Sequence, residues 1–312
     1  MTQSMREAFG HALADYGGVN PRVVVLDVDT SSSTMSTYFA HAFPDRFFNI
    51  GIAEPCMVDV SVGLALSGKI PFANAFASLI SLRALEQVRT CVCYARTNVK
   101  LVAGYAGVSD FKDGPTHHSI TDIGIMRSLP GMTVIVPGDS REAATWIPVI
   151  ANHEGPVYIR ISRDSPVEVH SSNISPVIGQ GWKLRQGDDL AIIACGAMTG
   201  RALQAAIELE GQSIHARVVE MPSIKPIDES LILTAAAETG AIVTAEEHTV
   251  VGGLGSAVAE VLTRQKSVPQ EYVGIKDTFA CTARSADLAM DACGLSVNNI
   301  ISAAKAVLER KK

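Results

Sequence analysis

Short apolar runs rich in β-branched residues alternate with helical segments along most of the chain, and this alternation constrains the fold more than any other feature. The run at 23–26 is Val-Val-Val-Leu and follows the turn formers Asn20 and Pro21. Runs without alternating polar positions are typical of strands that are covered on both faces. We therefore predict an α/β fold with mainly parallel sheets. The segments that support this prediction are the apolar runs 23–26, 99–102, 133–136 and 157–161 and the helical patterns 4–16, 78–96 and 142–151.

The alternation stops in a polar stretch and then resumes, which indicates two domains. Between 162 and 189 the chain contains Pro166, Pro176 and several Ser and Gly residues without clear periodicity. A length of 312 residues suits two domains of about 150 residues each. We expect a first domain at 1–165, a linker at 166–188 and a second domain at 189–312. Each domain is predicted to have three layers, α/β/α.

Composition and charge exclude several classes of partner. Lys+Arg 26 against Asp+Glu 32 gives a formal charge of −6, and neither sign is concentrated in one stretch. Binding to nucleic acid or to a membrane surface is therefore not expected. Apolar tracts are interrupted within about ten residues, whereas a membrane-spanning helix needs about twenty. The N-terminus lacks the pattern of a secretory signal, so we expect a cytoplasmic protein. The sequence has six cysteines and no CxxC motif, and we expect the cysteines to be reduced.

Three local clusters can be interpreted either as functional sites or as purely structural features. Gly252-Gly253-Leu254-Gly255 could hold an anion on its backbone N–H groups, but the third glycine of a dinucleotide motif is missing, which favours a closely packed turn. Glu246-Glu247-His248 could be an acid–base cluster, although a solvated loop is the commoner case. His117 and His118 are adjacent and would point in different directions, so we predict no metal site there.

Glu54 is the residue that most suggests chemistry. It stands where an apolar, strand-like run meets the start of a long apolar helix, so partial burial is expected. Burial without a cation raises the pKa of a carboxyl group and keeps it able to share a proton, as a general acid or base must. A glutamate at a helix N-terminus can equally be a partner of the helix dipole. The polar segment 112–118 follows the strand 99–102, at the strand end where α/β folds place ligands.

Taken together, these segments resemble a transketolase over nearly the whole chain. The first half is similar to the pyrimidine-binding domain, and the second half resembles the transketolase C-terminal domain. The matching segments are Gly51-Ile52-Ala53-Glu54, 72–76, Arg83, Gln87, Arg89, Asp113-Gly114-Pro115-Thr116-His117, 127–130 and 137–139 in the first half and Lys225-Pro226-Ile227-Asp228, 246–248 and 252–255 in the second.

The resemblance implies an enzyme that uses thiamine diphosphate to move a two-carbon unit from a ketose to an aldose. In that family a glutamate hydrogen-bonds a ring nitrogen of the aminopyrimidine and favours the tautomer that takes the proton from the thiazolium carbon; Glu54 matches it. His117 matches a second catalytic position, at the donor end of the substrate. By the same resemblance, the cofactor would be contacted by Phe76, Asp29 and Arg83, and a sugar hydroxyl by Asp113. The substrate would also be contacted by Arg6, Ser33, Tyr105 and Arg163. Its far phosphate would lie between Arg6, Ser33 and Arg163.

Departures from the family pattern concentrate where the tail of the substrate would pass. Tyr105 stands where a phosphate-contacting histidine is common, and Asp110, Phe111 and Lys112 replace small residues. Leu79 stands where a second aromatic residue is usual. The substrate is therefore not assumed to be a common sugar phosphate, and a branched or sulfonated ketose is an alternative.

Half of a complete transketolase is missing from this sequence. The Gly-Asp-Gly motif that holds Mg²⁺ and the diphosphate is absent, and the Gly-Asp pairs at 138–139 and 187–188 do not match it. We expect a separate N-terminal subunit to supply that site, in an assembly with two copies of each chain. Two alternatives stay open, the β subunit of a 2-oxo acid dehydrogenase and a non-catalytic subunit of the same fold. The loop 113–117 favours the sugar-binding form, and the retained Glu54 argues against the non-catalytic one.

Overall fold

The computed structural model describes residues 3–164, 166–170 and 174–311, and its strands form two sheets. The strands are β1 Val23–Asp27, β2 Phe47–Asn49, β3 Ile70–Phe76, β4 Lys100–Gly104, β5 Thr133–Ile135, β6 Val157–Ile161, β7 Trp182–Arg185, β8 Leu190–Ala194, β9 Ala216–Glu220, β10 Ser223–Lys225, β11 Ile242–Thr249 and β12 Gln270–Ile275. The first sheet has the order β10-β5-β6-β4-β3-β1-β2 and the second the order β12-β11-β8-β9-β7. All pairings among β1 to β6 are parallel, which confirms the predicted α/β class.

Helices cover both sheets. The helix Met5–Val19 begins with a capping box between Ser4 and Glu7, and it buries Phe9 and Leu13 in an apolar cluster with Trp146. The helices of the first half are Met5–Val19, Ser31–Thr34, Thr37–Ala42, Glu54–Leu66, Ala77–Leu82, Leu85–Gln87, Asp122–Ser128 and Ser140–Asn152, with a 3₁₀ turn at Pro44–Arg46 and a π-helical segment at Val88–Tyr94. Those of the second half are Met198–Glu210, Glu229–Thr239, Leu254–Gln265, Ala286–Ala292 and Val297–Arg310.

The helical pattern at 78–96 is confirmed as helical but does not form one continuous helix. The chain instead forms two short α-helices, separated at Arg83 and Ala84, and then the π-helical segment. The backbone of Ala84 leaves the helical region, with φ −100° and ψ 14°. This interruption aims Arg83 at Glu54, a contact that an apolar repeat cannot reveal.

Within the expected linker at 166–188 lies the strand β7, which pairs antiparallel with β9. The strand β10 belongs to the second half of the chain but pairs antiparallel with β5 of the first sheet. One apolar cluster also contains buried residues of both sheets, among them Val134 and Ile193. The two halves therefore share structure instead of meeting only through a linker.

Within the described ranges, no helix is both long and apolar enough to span a membrane.

Candidate active site

The predicted site residues gather at one edge of the first sheet. Phe76 ends β3, Tyr105 follows β4, and Arg163 lies two residues beyond β6. These strands are parallel neighbours, so their carboxyl ends meet at the edge where open α/β sheets bind ligands. Asp29 follows β1 at the same edge.

Glu54 is the first residue of the helix Glu54–Leu66, and Pro55 beside it suits a first turn. Its side chain is 1% exposed, yet Nη1 of Arg83 reaches both carboxylate oxygens, at 3.0 and 2.9 Å. The sequence predicted that Glu54 is buried but did not predict a positive partner. Because Arg83 is present, Glu54 is not the carboxyl group buried without a cation that the sequence suggested. Each carboxylate oxygen has two lone pairs, and Glu54 therefore keeps capacity to accept a further hydrogen bond.

Phe76, Tyr105 and His117 form an aromatic group. The ring centroids of Phe76 and Tyr105 are 4.5 Å apart, and those of Phe76 and His117 are 6.0 Å apart. Tyr105 has a positive φ of 58°, which is unusual for a bulky residue. Such conformations persist where surrounding contacts hold them, often at functional sites. Phe76 and Arg83 are joined by the one-and-a-half-turn helix Ala77–Leu82, so a single short segment carries the aromatic wall and the partner of Glu54.

Arg6, Ser33 and Tyr105 also meet. Nη1 of Arg6 donates to the Ser33 carbonyl oxygen at 2.9 Å and to the Tyr105 hydroxyl at 2.8 Å. The short helix Ser31–Thr34, which carries Ser33, is held by Asp27, whose buried carboxylate accepts hydrogen bonds from Thr30, Thr34 and Ser36. Burial raises the pKa of Asp27, although these hydrogen bonds oppose the shift. Sequence reasoning missed Asp27 because it ends an apolar run without a recognisable motif.

Arg163 joins this group through Tyr105 and an ion pair. Its guanidinium carbon lies 5.2 Å from the centroid of the Tyr105 ring, and Nη1 is 3.1 Å from Oδ1 of Asp110. Asp110 is fully buried, and burial followed by the charge of Asp113 raises its pKa against the pull of Arg163. Asp113 itself is exposed. Asp110 was noted only as a departure from the family pattern, and the structure makes it a member of the site.

Two predicted residues, Asp29 and His117, are more open to solvent. Asp29 is exposed, has a φ of 69°, and accepts a hydrogen bond from Nδ2 of Asn49 at 3.1 Å. His117 is half-buried, and its Nδ1 lies 3.0 Å from the Thr116 hydroxyl. The neighbouring His118 is buried against the Asp110 carbonyl, and this burial lowers the pKa of His118. Of the two histidines, His117 alone lies next to the aromatic group.

The Glu246-Glu247-His248 cluster and the glycine turn are structural. Both carboxylate oxygens of Glu246 accept backbone N–H groups at the start of the helix Leu254–Gln265, and a Cβ at Gly253 would lie 1.9 Å from Oε2 of Glu246. Glu247 accepts the N–H of Val108 at 2.7 Å. The packed-turn interpretation is therefore confirmed, whereas the solvated-loop interpretation is wrong, because all three side chains are buried.

A buried charged cluster lies at the junction of the two halves. Glu142, His170 and Glu220 each offer one ligand atom within 4.8 Å of the others. The two carboxylate oxygens of Glu142 already accept hydrogen bonds from Trp146 and Gly138, and His170 lies between Asp139 and Glu220, at 3.2 and 2.8 Å. Hydrogen bonds therefore occupy both oxygens of Glu142, and His170 contacts Glu220 at the distance of an ion pair.

Comparison with known proteins places these observations in a family. Residues 1–166 match the pyrimidine binding domain of transketolase, and residues 179–300 match its C-terminal domain. The chain belongs to the transketolase family. The predicted resemblance and the predicted fold class are both confirmed.

Similar proteins include separate transketolase subunits. A 6-deoxy-6-sulfo-D-fructose transketolase subunit from Clostridium sp. (strain MSTE9) is 41% identical over 307 residues, which cover 98% of this chain and 95% of that protein. An apulose-4-phosphate transketolase subunit from Phocaeicola vulgatus is 37% identical over 273 residues, 87% of each chain. A solved structure described as a split gene transketolase, inactive beta4 tetramer, matches with a TM-score of 0.91 at 44% identity and covers 100% of both chains. These matches favour a transketolase subunit over the dehydrogenase alternative.

Proposed function

We propose that this chain is the C-terminal subunit of a two-subunit transketolase, which transfers a two-carbon ketol unit from an anionic ketose to an aldose. The observation that carries the proposal is the buried Glu54 carboxylate, which pairs with Arg83. The aromatic group of Phe76, Tyr105 and His117 at the ligand-binding edge of the first sheet supports it. The match to separate transketolase subunits over nearly the whole chain supports it.

The site fits the pyrimidine half of thiamine diphosphate, the cofactor of this family. A buried carboxylate with free lone pairs suits a ring nitrogen, and Phe76 offers an aromatic face. We propose that Glu54, Phe76, Arg83 and Asp29 hold this half. When bound, the cofactor supplies the nucleophilic carbon that carries the two-carbon unit.

The chain's own residues have distinct tasks in this proposal. Glu54 holds a proton-sharing contact to the pyrimidine, and the desolvated surroundings strengthen that contact. His117 and Asp113 contact the sugar near its reacting carbons. Arg6, Tyr105 and Arg163 hold the far, anionic end of the donor, where guanidinium groups are well suited to bind oxyanions. That end is a phosphate or a sulfonate, and the latter is the group in the name of the Clostridium relative.

A partner completes the enzyme. In the described residues the one cluster with metal-ligand spacing is Glu142, His170 and Glu220, which lies at the domain junction and not at the ligand-binding edge. We propose that an N-terminal subunit supplies Mg²⁺ and the diphosphate site, with two copies of each chain. We also propose domains at 1–165 and 189–312, joined by a linker at 166–188 whose strand β7 pairs with the second sheet, with β10 reaching back into the first sheet.

The test is two-carbon transfer by this chain, alone and mixed with an N-terminal transketolase subunit, in the presence of thiamine diphosphate and Mg²⁺. We expect activity in the mixture and none with either chain alone. A mixture that assembles and binds the cofactor but transfers no unit from any ketose would overturn the proposal. Decarboxylation of 2-oxo acids by that mixture would instead support the dehydrogenase alternative.

A further inference from the structure

We infer that the anion pocket of Arg6, Tyr105 and Arg163 selects a donor whose far end carries one negative charge, such as a sulfonate, and that Asp110 sets this preference against phosphate. The inference rests on the proposed function, because it concerns the substrate of the same site. It begins from an ion pair that neutralises one of the two cations expected to bind a phosphate.

The first step is the charge of Arg163. Nη1 of Arg163 lies 3.1 Å from Oδ1 of Asp110, and the two side chains are 18% and 0% exposed. An ion pair with so little exposure is screened weakly by water, so Asp110 cancels much of the guanidinium charge where a ligand would meet it. Arg163 can still donate hydrogen bonds but brings little net charge.

The second step is the donor capacity that remains. Arg6 uses Nη1 for Ser33 and Tyr105, while its buried Nε has no hydrogen-bond partner in the part of the chain that the structure describes. Tyr105 accepts from Arg6 through its oxygen, which leaves its own O–H free to donate. Arg6 and Tyr105 therefore present directed donors with a single positive charge between them.

The third step is the count of nearby charges. Arg6, Arg163 and Asp110 sum to one positive charge, and the surrounding Lys112 and Asp164 carry opposite signs. Asp113 adds a further negative charge beside Asp110. A phosphate ester carries about −1.5 to −2 at neutral pH, whereas a sulfonate carries one charge. The second charge of a phosphate would be desolvated without a cation and close to Asp110, which is unfavourable.

The experiment compares two ketose donors that differ only at the far end, fructose 6-phosphate and 6-deoxy-6-sulfofructose, with the reconstituted two-subunit enzyme. For the wild type we expect kcat/KM to favour the sulfonate by about tenfold or more, since tenfold corresponds to a modest difference in interaction energy. The substitution Asp110→Asn releases the charge of Arg163 and should move the ratio toward the phosphate by about tenfold. A variant that folds or turns over poorly lowers both values together, so the ratio isolates specificity.

Asp45→Asn is the matched control, since it removes the same charge from an exposed turn, and it should leave the ratio unchanged. A wild type that prefers the phosphate, or an Asp110→Asn variant with an unchanged ratio, would overturn the inference. Calorimetric titration of the complex with the same two sugars gives a readout independent of turnover. Preferential binding of the sulfonate without transfer from any donor would uphold the inference about the pocket and reject the proposed function.

Discussion

At the scale of the residue, Glu54 joins two requirements that normally conflict. A carboxylate removed from water needs a positive partner, and Arg83 provides one at 2.9 Å. A carboxylate that binds a cofactor also needs a lone pair that is not already used. Only one nitrogen of Arg83, Nη1, donates to Glu54, so several lone pairs of the carboxylate remain available. The Arg83 side chain is 49% exposed and that of Glu54 is 1% exposed, so the cation of the pair is open to solvent and the carboxylate is not.

Replacing Glu54 by Gln keeps its shape and removes its charge. We expect kcat of the reconstituted enzyme to fall by about 10² or more, in the range of lost acid–base catalysis, with subunit assembly retained. Steady-state kinetics at saturating cofactor and size-exclusion chromatography measure the two effects. Glu86→Gln, at a carboxylate whose side chain is 69% exposed, is the control and should keep wild-type activity. Undiminished turnover in Glu54→Gln would contradict the role of this residue.

Arg163 allows a separate prediction about the substrate. The substitution Arg163→Ala removes donors from the anion pocket and leaves Asp110 without its counter-charge. We expect KM for an anionic ketose to rise by about tenfold or more, with a much smaller change for a neutral ketose. Arg141→Ala removes a half-exposed arginine that pairs with Glu168, and serves as the control. Equal rises for both ketoses would argue against an anion pocket.

The sequence predicts some site residues, but it does not predict which residues pair with them. Glu54, Phe76, Arg6 and Arg163 follow from local motifs and family resemblance, and the structure brings Arg6 and Arg163 together around Tyr105. The partners Arg83 of Glu54 and Asp110 of Arg163 depend on distances between segments, which a sequence does not contain. Their pairing therefore required the folded chain.

At the scale of the element, strands were predicted well where both faces are buried. The run at 23–26 is wholly apolar, and in the run at 157–161 the one charged side chain, Arg160, is buried as well; both runs form interior strands. The strands β7 and β10 have only four and three residues, and each is defined by an antiparallel partner distant in the chain. Periodicity carries no signal for such pairing.

The segment 166–170 leads to a prediction about pH. Burial alone lowers the pKa of His170, but the carboxylates of Asp139 and Glu220 outweigh it and raise that pKa to about 10. The pKa in the unfolded chain is about 6.5. Between these values the folded protein binds a proton that the unfolded chain does not, so the stabilisation is complete below pH 6.5 and is lost as pH rises toward 10. The limiting slope is about 1.4 kcal/mol per pH unit.

Comparison of the wild type with His170→Gln isolates this contribution. Urea unfolding at pH 6.5 and pH 9 should show a free-energy difference between the two proteins that is large at the lower pH and much smaller at the higher one. His215→Gln is the control, because His215 is 61% exposed and pairs with the half-exposed Asp189. A difference for His170→Gln that is constant with pH would mean that the histidine is neutral in the folded protein.

At the scale of the whole molecule, the two halves are built as one unit. The strand β10 completes the first sheet, and Arg160 on β6 donates to the carbonyl of Glu247 on β11 while pairing with the buried Asp122. Val108 donates to the carboxylate of Glu247 across the same boundary. Breaking either half would leave buried charges and backbone groups without partners, and such groups cost several kcal/mol in total.

Cooperative unfolding is therefore expected, and the two tryptophans allow a direct test. Trp146 is fully buried in the first half, and Trp182 begins β7 in the second sheet. The variants Trp146→Phe and Trp182→Phe each keep one reporter. Within each variant, the urea transition seen by fluorescence should coincide with that seen by far-UV circular dichroism, as in two-state unfolding. Comparing two probes within one variant removes the change in stability caused by the substitution. In Trp146→Phe, a fluorescence transition of Trp182 at a lower urea concentration than the circular dichroism transition would show that the second half unfolds by itself. The shared strand and ion pairs would then not couple the halves.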